Sequence, residues 1–294
     1  MQIMSLITAL PGAAAQGLIW GIMAIGVYIT FRILDIADLT VDGTLCTGGA
    51  VCIMMMLSGH NVWVSMLVAT GAGLLAGLAT GIFHTFMGIP AILAGILTQL
   101  SLYSVNLKIM GKANQAINVD KFNLLVSLRR VKGVALTQNT LFIVAIMIII
   151  LIAVLYWFFG TELGCSLRAT GCNPSMSRAQ GINTDRNKVL GLMLSNGLVA
   201  LSGALLTQYQ GFADINMGRG SIVIGLAAVI IGEAIFSRIF RNFALKLLSV
   251  VFGSILYYLV LQIVIWMGID TDLLKMLSAL VVAFFLAFPY WKGK

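Results

Sequence analysis

Long apolar runs separated by short polar intervals organise the whole chain. About 20 apolar residues suffice for a helix to cross a bilayer. Runs of that order cover residues 12–31, 62–83, 89–109, 140–159, 189–209, 243–267 and 273–291. Two further apolar stretches, 44–57 and 221–236, are too short to span comfortably and read as half-helices. The first of these follows a polar interval holding Arg32, Asp35, Asp38 and Asp42, so the region reads as a broken helix. The second follows a loop, 210–220, holding Asp214 and Arg219. The pattern predicts an all-α, polytopic helical membrane protein: one transmembrane domain over 1–294 with about nine segments, broken half-helices included.

Small residues recur where helices would pack closely. Gly17 and Gly21 form a GxxxG face on the first segment, and Gly73, Gly77 and Gly81 a fourfold-spaced stripe on the third; these faces suit close helix contact and are expected to serve a homodimer of this chain. The fourth segment carries Thr98, Gln99, Ser101, Tyr103, Ser104 and Asn106. Helical spacing groups 98, 101 and 105 on one face and 99, 103 and 106 on another. Such polar groups either glue helices together or line a path.

Composition agrees with this class. The chain has 294 residues, 60% hydrophobic and 10% charged, with mean hydropathy +1.02. A soluble domain could not hide that much apolar surface. A barrel is excluded because its strands alternate apolar and polar residues, whereas these segments are apolar all round. The net charge of +8 sits in short loops, so it reports topology and implies no nucleic-acid partner. Cys46, Cys52, Cys165 and Cys172 form no CxxC pair or metal-ligand spacing. The first ten residues lack a basic region of the kind that precedes a cleaved signal, so the first span is expected to remain.

Basic loops orient the chain. The 161–187 interval, the Arg238/Arg241 loop and the Lys292/Lys294 tail fall on one side if spans alternate, and that side is expected to be cytoplasmic. Cys165 and Cys172 would then stay reduced. The N-terminus and the acidic Asp270/Asp272 loop fall outside, and the C-terminus inside. The basic interval 111–138 also falls outside, as an extracellular loop. A weak internal repeat supports the layout. Shifted by 176 residues, Leu18, Gly21, Ala24, Ala37, Asp38 and Gly49 meet Leu194, Gly197, Ala200, Ala213, Asp214 and Gly225. On this topology the copies are inverted, a transporter signature whose interruptions mark the path.

One polar stretch, 169–186, stands apart. Asn173 can cap a helix, Pro174 suits its first position, and Gly181 can adopt the left-handed conformation that ends it. About two turns of helix result, flanked by Arg168, Arg178 and Arg186. It is either a structured loop or a docking helix at the membrane surface.

The pattern Leu167-Arg168-Ala169-x-Gly171-x-Asn173-Pro174-x4-Ala179-x-Gly181-Ile182-Asn183-x-Asp185-Arg186 resembles the cytoplasmic coupling segment of permeases in the branched-chain amino acid and ribose family of ABC importers. Residues 17–50 resemble that family's first two helices. Members often carry Asn-Phe-Ala-His-Gly where this chain has Ile36-Ala37-Asp38-Leu39-Thr40-Val41-Asp42-Gly43. The latter version resembles a subgroup of single-permease systems linked to tryptophan or tyrosine uptake. The resemblance implies a bacterial cell-membrane protein and two permease copies forming one pathway. It also implies two cytoplasmic ATPase subunits and an extracellular substrate-binding lipoprotein. It further implies ATPase coupling through Arg168, Asn173, Pro174, Arg178, Gly181, Asn183 and Asp185.

The chain itself has no GxxxxGK[ST] phosphate loop, so ATP and Mg belong on a partner and no cofactor is expected here. Asp38, Thr40, Asp42, Thr98, Gln99, Tyr103, Asn106 and Asp214 are candidates for the translocation path. Asp38 and Asp42 either cap the half-helix beginning beside them or contact substrate. If the repeat holds, the breaks at 38–43 and 214–220 face each other, with Asp42 satisfying the first half-helix. Arg32 is placed to pair with Asp35, and Glu233 with Arg238 or Arg241. The competing function is an ion-coupled secondary transporter. A membrane-embedded enzyme has no HExxH, nucleophile or carboxylate–His motif to support it.

Overall fold

A computed structural model describes residues 2–117, 122, 124–131, 139–236, 240, 242–267 and isolated positions between 273 and 287. Helix α1 (Gln2–Tyr28) ends in a π-helical turn, Ile29–Ile33. Then come α2 (Val41–Leu57), α3 (Val62–Thr85) and α4 (Ala91–Met110). A connecting segment holds a short strand β1 (Asn114–Ala116) and a 3-10 turn at Leu128–Val131. Helices α5 (Thr140–Gly160), α6 (Glu162–Cys172), α7 (Pro174–Ala179) and α8 (Thr184–Gln210) follow. Strand β2 (Phe212–Asp214), α9 (Ser221–Phe236) and α10 (Phe243–Trp266) complete the order. Among the described residues, six helices are long and apolar enough to cross a membrane, and α2 and α9 are shorter apolar helices. The chain is a polytopic helical membrane protein. The expected ninth segment, 273–291, falls largely outside the described residues, as do Arg238, Arg241, Asp270, Asp272 and the tail lysines.

Two triplets, α1–α2–α3 and α8–α9–α10, repeat the same order of long span, half-helix and 24-residue span. Their symmetry is visible in two hydrogen bonds. Ser195 Oγ donates to the Gly26 carbonyl and Ser202 Oγ to the Ile19 carbonyl, each at 2.8 Å. A shift of 176 turns residue 19 into 195 and 26 into 202, so each contacting pair maps onto the other, with the α8 serine donating in both. Exchange of that kind requires the two copies to run antiparallel. The aspartates that match under the same shift also make matching turns. Asp38 Oδ1 accepts from Thr40 N at 2.9 Å and Asp214 Oδ1 from Asn216 N at 2.7 Å.

Glycines let the enclosed spans approach backbone to backbone. A methyl group at Gly73 or Gly77 would meet the carbonyls of Asn196 or Leu192 on α8, and one at Gly48 would meet that of Ala200. Gly17 lies against the Ile255 backbone and Gly21 against Val251, both on α10. The glycine faces of α1 and α3 are therefore filled inside the subunit. Their use as contacts between two copies, suggested by the sequence, is corrected by this packing. What remains outward is apolar and bulky: Leu93, Leu97 and Leu100 on α4, and Ile149, Ile150 and Trp157 on α5.

Strands β1 and β2 pair antiparallel, with Asn114 opposite Asp214. The segment after α4 and the loop before α9 therefore share one end of the bundle, as strict alternation of spans requires. Helices α6 and α7 occupy the other end.

Candidate translocation path and coupling segment

The N-termini of the two half-helices meet inside the bundle, and Asp42 joins them. Its backbone belongs to the first turn of α2. Its carboxylate reaches across to α9, accepting from Gly220 N (2.8 Å), Ser221 Oγ (2.8 Å) and Ile222 N (2.9 Å). The exposed N–H groups of a helix start carry partial positive charge, which a carboxylate satisfies. The sequence reading had Asp42 capping its own half-helix. The structure corrects this, because a residue already inside the first turn points its side chain away from its own leading amides. The local turn is held instead by Asp38. Gly218, which matches Asp42 under the repeat, packs on the Asp42 carbonyl, so the pseudo-twofold passes between them.

Behind this junction lies a buried polar network. Asn196 Nδ2 donates to Asp38 Oδ2 at 2.7 Å, and Thr44 Oγ1 donates to Asn196 Oδ1 at 2.7 Å. Thr40, Thr80 and Thr98 form a chain of hydroxyls at 2.7 and 2.9 Å. Thr98 is thus interhelical glue, while Asp38 and Thr40 are sealed in protein. The two faces expected on α4 are corrected too. Thr98 and Asn106 share the buried stripe with Gly95, whereas Ser101 and Val105 are exposed. The stripe follows Gly95, whose missing side chain admits the Leu39 backbone.

A cavity of about 370 Å³ opens beside Asp42. Gln99, Tyr103, Asn106, Cys46 and Arg219 line it with Asp42. Asn106 is buried and donates to the Gly43 carbonyl at 3.4 Å, but its Oδ1 has no partner among the described residues. Arg219 is exposed and makes no side-chain bond among the described residues. Asp214, by contrast, turns into its own loop and does not line this cavity. Sequence reasoning missed Asn196 and the role of Arg219. A lone amide in the middle of an apolar span was the available signal for Asn196.

Charges at the other end pair differently from the sequence expectation. Arg32 Nε bonds Glu233 Oε1 at 2.9 Å, not Asp35. Glu233 thereby has a partner at the end of α1; its expected partners, Arg238 and Arg241, lie outside the described residues. Asp35 is exposed with φ +55°. A helix that ends in a π turn rotates Arg32 toward α9, which sequence spacing alone does not reveal.

The stretch 161–187 forms two helices and a cap. Asn173 Oδ1 accepts from Met176 N at 3.0 Å, Pro174 opens α7, and Gly181 follows it at φ +81°. Asn183 caps α8 through Arg186 N at 3.1 Å. Arg178 Nε donates to Thr184 Oγ1 at 2.7 Å and its guanidinium pairs with Asp185 at 3.4 Å. Arg168 turns back into the fold, donating to the Phe159 carbonyl at 2.9 Å. Asn187 Nδ2 ties α8 to α6 through Thr170 Oγ1 at 2.8 Å. Helix α7 is left exposed, with Met176 as an apolar knob, 59% exposed.

Comparison with known proteins fits this architecture. The sequence profile of the family described as branched-chain amino acid transport system / permease component matches residues 10–286. A tyrosine transport system permease protein of Clostridioides difficile is 38% identical over 92% of this chain and 88% of its own length. An uncharacterised protein of Rickettsia prowazekii is also 38% identical, over 94% and 95%. A fructose import permease of Bifidobacterium longum is 25% identical over 83% and 67%. A bundle of inverted triplets meeting at two half-helix N-termini, matched along nearly its whole length by that profile, belongs to the branched-chain amino acid transport system permease-component family: this chain is a permease component of an ABC transport system.

Proposed function

We propose that this chain is the membrane subunit of an importer that carries a small amino acid, aromatic or branched-chain, delivered by an extracellular binding protein. Two copies would form the path, and two cytoplasmic ATPases, holding ATP and Mg, would dock against α7. The observation that carries this reading is the cavity at the junction of α2 and α9. It offers the Arg219 guanidinium to a carboxylate, and the unpartnered Asn106 Oδ1 to an ammonium. The relative named for tyrosine transport makes tyrosine the first substrate to test. In vesicles containing the chain, its ATPase and its binding protein, labelled tyrosine uptake should require ATP and survive a protonophore. Uptake that ignores ATP and collapses with the proton gradient would overturn this reading in favour of an ion-coupled transporter.

The coupling role has its own test. Gly181→Val should leave insertion intact but cut transport at least tenfold, because a β-branched residue is strained at positive φ. Arg178→Glu should act likewise, by breaking the clasp that holds α7 to α8. Co-purification of the ATPase at wild-type yield together with normal uptake in both variants would end the coupling assignment.

Orientation is checked by thiol labelling. Asn118→Cys should react with an impermeant reagent in intact cells. Asn118 lies outside the described residues; the native Cys172, exposed at the end of α6, should react only after lysis. The reverse order of labelling would invert the topology.

A further inference from the structure

A cavity of about 840 Å³ lies at the α6 end of the bundle, away from the path. The π turn ending α1, the last turn of α5, helix α6 and the first turn of α10 enclose it. Among the described residues, three cations line it: Arg32, Arg168 and Lys246. Two are held in place. Arg32 spends its Nε on Glu233, leaving its terminal nitrogens for the cavity. Arg168 spends Nη2 on the Phe159 carbonyl and lies 5.8 Å over the Phe243 ring, leaving other donors unused. Lys246 is exposed, and its ammonium has no partner among the described residues. With Glu233 offsetting one charge, the cavity keeps an excess of two positive charges.

We propose that this cavity holds the headgroup of an anionic phospholipid. The cations stand where a bundle of membrane spans ends, at headgroup depth. Tyr156 and Trp157, on the wall and 49% and 71% exposed, mark the same depth, because amphipathic rings settle at the membrane–water interface. The wall continues directly onto the outward face of α5, where Ile149, Ile150 and Val154 are exposed. That apolar strip gives the acyl chains a course down the helix, which a free phosphate would not need. Fixed guanidiniums beside an unpartnered ammonium suit a phosphodiester, whose oxygens accept from all three. Basic pockets between spans bind acidic headgroups by this chemistry.

The experiment uses the purified permease with its ATPase in detergent, titrated with dioleoyl phosphatidylglycerol, dioleoyl phosphatidylcholine or inorganic phosphate. Phosphatidylglycerol should raise the apparent Tm and co-migrate in native mass spectra; phosphatidylcholine and phosphate should do neither. Lys246→Gln should weaken phosphatidylglycerol binding several-fold and Lys246→Glu should abolish it. Lys112→Glu, at the opposite end, should leave it unchanged. Equal binding by wild type and Lys246→Glu would overturn the proposal. So would the same shift from phosphate alone, which would make the cavity a small-anion site. Loss of ATPase co-purification in Lys246→Glu with lipid binding intact would assign the cavity to the partner instead. If Lys246→Glu does not insert, Lys246→Gln together with the lipids retained by the wild type decides the matter.

Discussion

Asp42→Ala is expected to lower transport at least tenfold while the subunit still inserts and still co-purifies with its ATPase. Alanine removes the acceptor of three hydrogen bonds at the start of α9. Each donor left unsatisfied where it is buried, as at Ser221, costs about 1–3 kcal/mol. A loss of that size frees the two half-helices to separate without unfolding the long spans, which pack through their own glycines. Asp42→Asn should fall between alanine and wild type. An amide keeps one oxygen for Ser221 and Ile222 but turns an NH2 against the Gly220 N–H, so one side of the cap becomes repulsive. Transport at wild-type rate in both variants would remove this junction from the working path. The outward polar face of α4 would then be the better candidate.

Asn196→Leu is expected to be the most destabilising single change outside the glycine contacts. The buried Asp38 carboxyl would lose its Asn196 partner and Thr44 its acceptor, in a region where no water replaces them. Leaving a buried polar group without its hydrogen-bond partner costs about 1–3 kcal/mol, and more where the group is charged. Thermal unfolding in detergent should drop by several degrees, with lower yield from the membrane. Asn196→Asp tests the alternative that size alone matters. Its volume is the same, but it sets a second carboxyl beside Asp38, so it too should destabilise at neutral pH. A wild-type melting temperature for both variants would show that the network is incidental.

Much of the fold was legible because a bilayer enforces a simple rule. Backbone polar groups have no water to bond inside lipid, so apolar runs of sufficient length must be helices. That rule placed the long spans, and shortness alone marked α2 and α9 as half-helices. Capping chemistry is local, so Asn173, Pro174 and Gly181 also announced α7 and its end. The inverted repeat showed faintly, through aspartates 176 residues apart whose turns prove alike.

The misreadings share one cause. Arg32 was matched to Asp35, Asp42 to its own helix, and the α1 and α3 glycines to another copy, because each choice took the nearest partner along the chain or an unspecified one outside it. In the folded protein those partners come from 179 and 201 positions away, at Ser221 and Glu233, and from the backbones of α8 and α10. Periodicity on α4 likewise named faces without saying which one turned inward. That was decided by Gly95 admitting the Leu39 backbone. By itself, then, the sequence determined the membrane class, the long spans that the structure describes, the half-helices and helix α7, since hydropathy and capping act over a few residues. Only the tertiary structure decided which groups share the cavity and which acid joins the two breaks. Antiparallel docking of the two triplets brings distant donors and acceptors within 3 Å, and no short-range rule encodes that meeting.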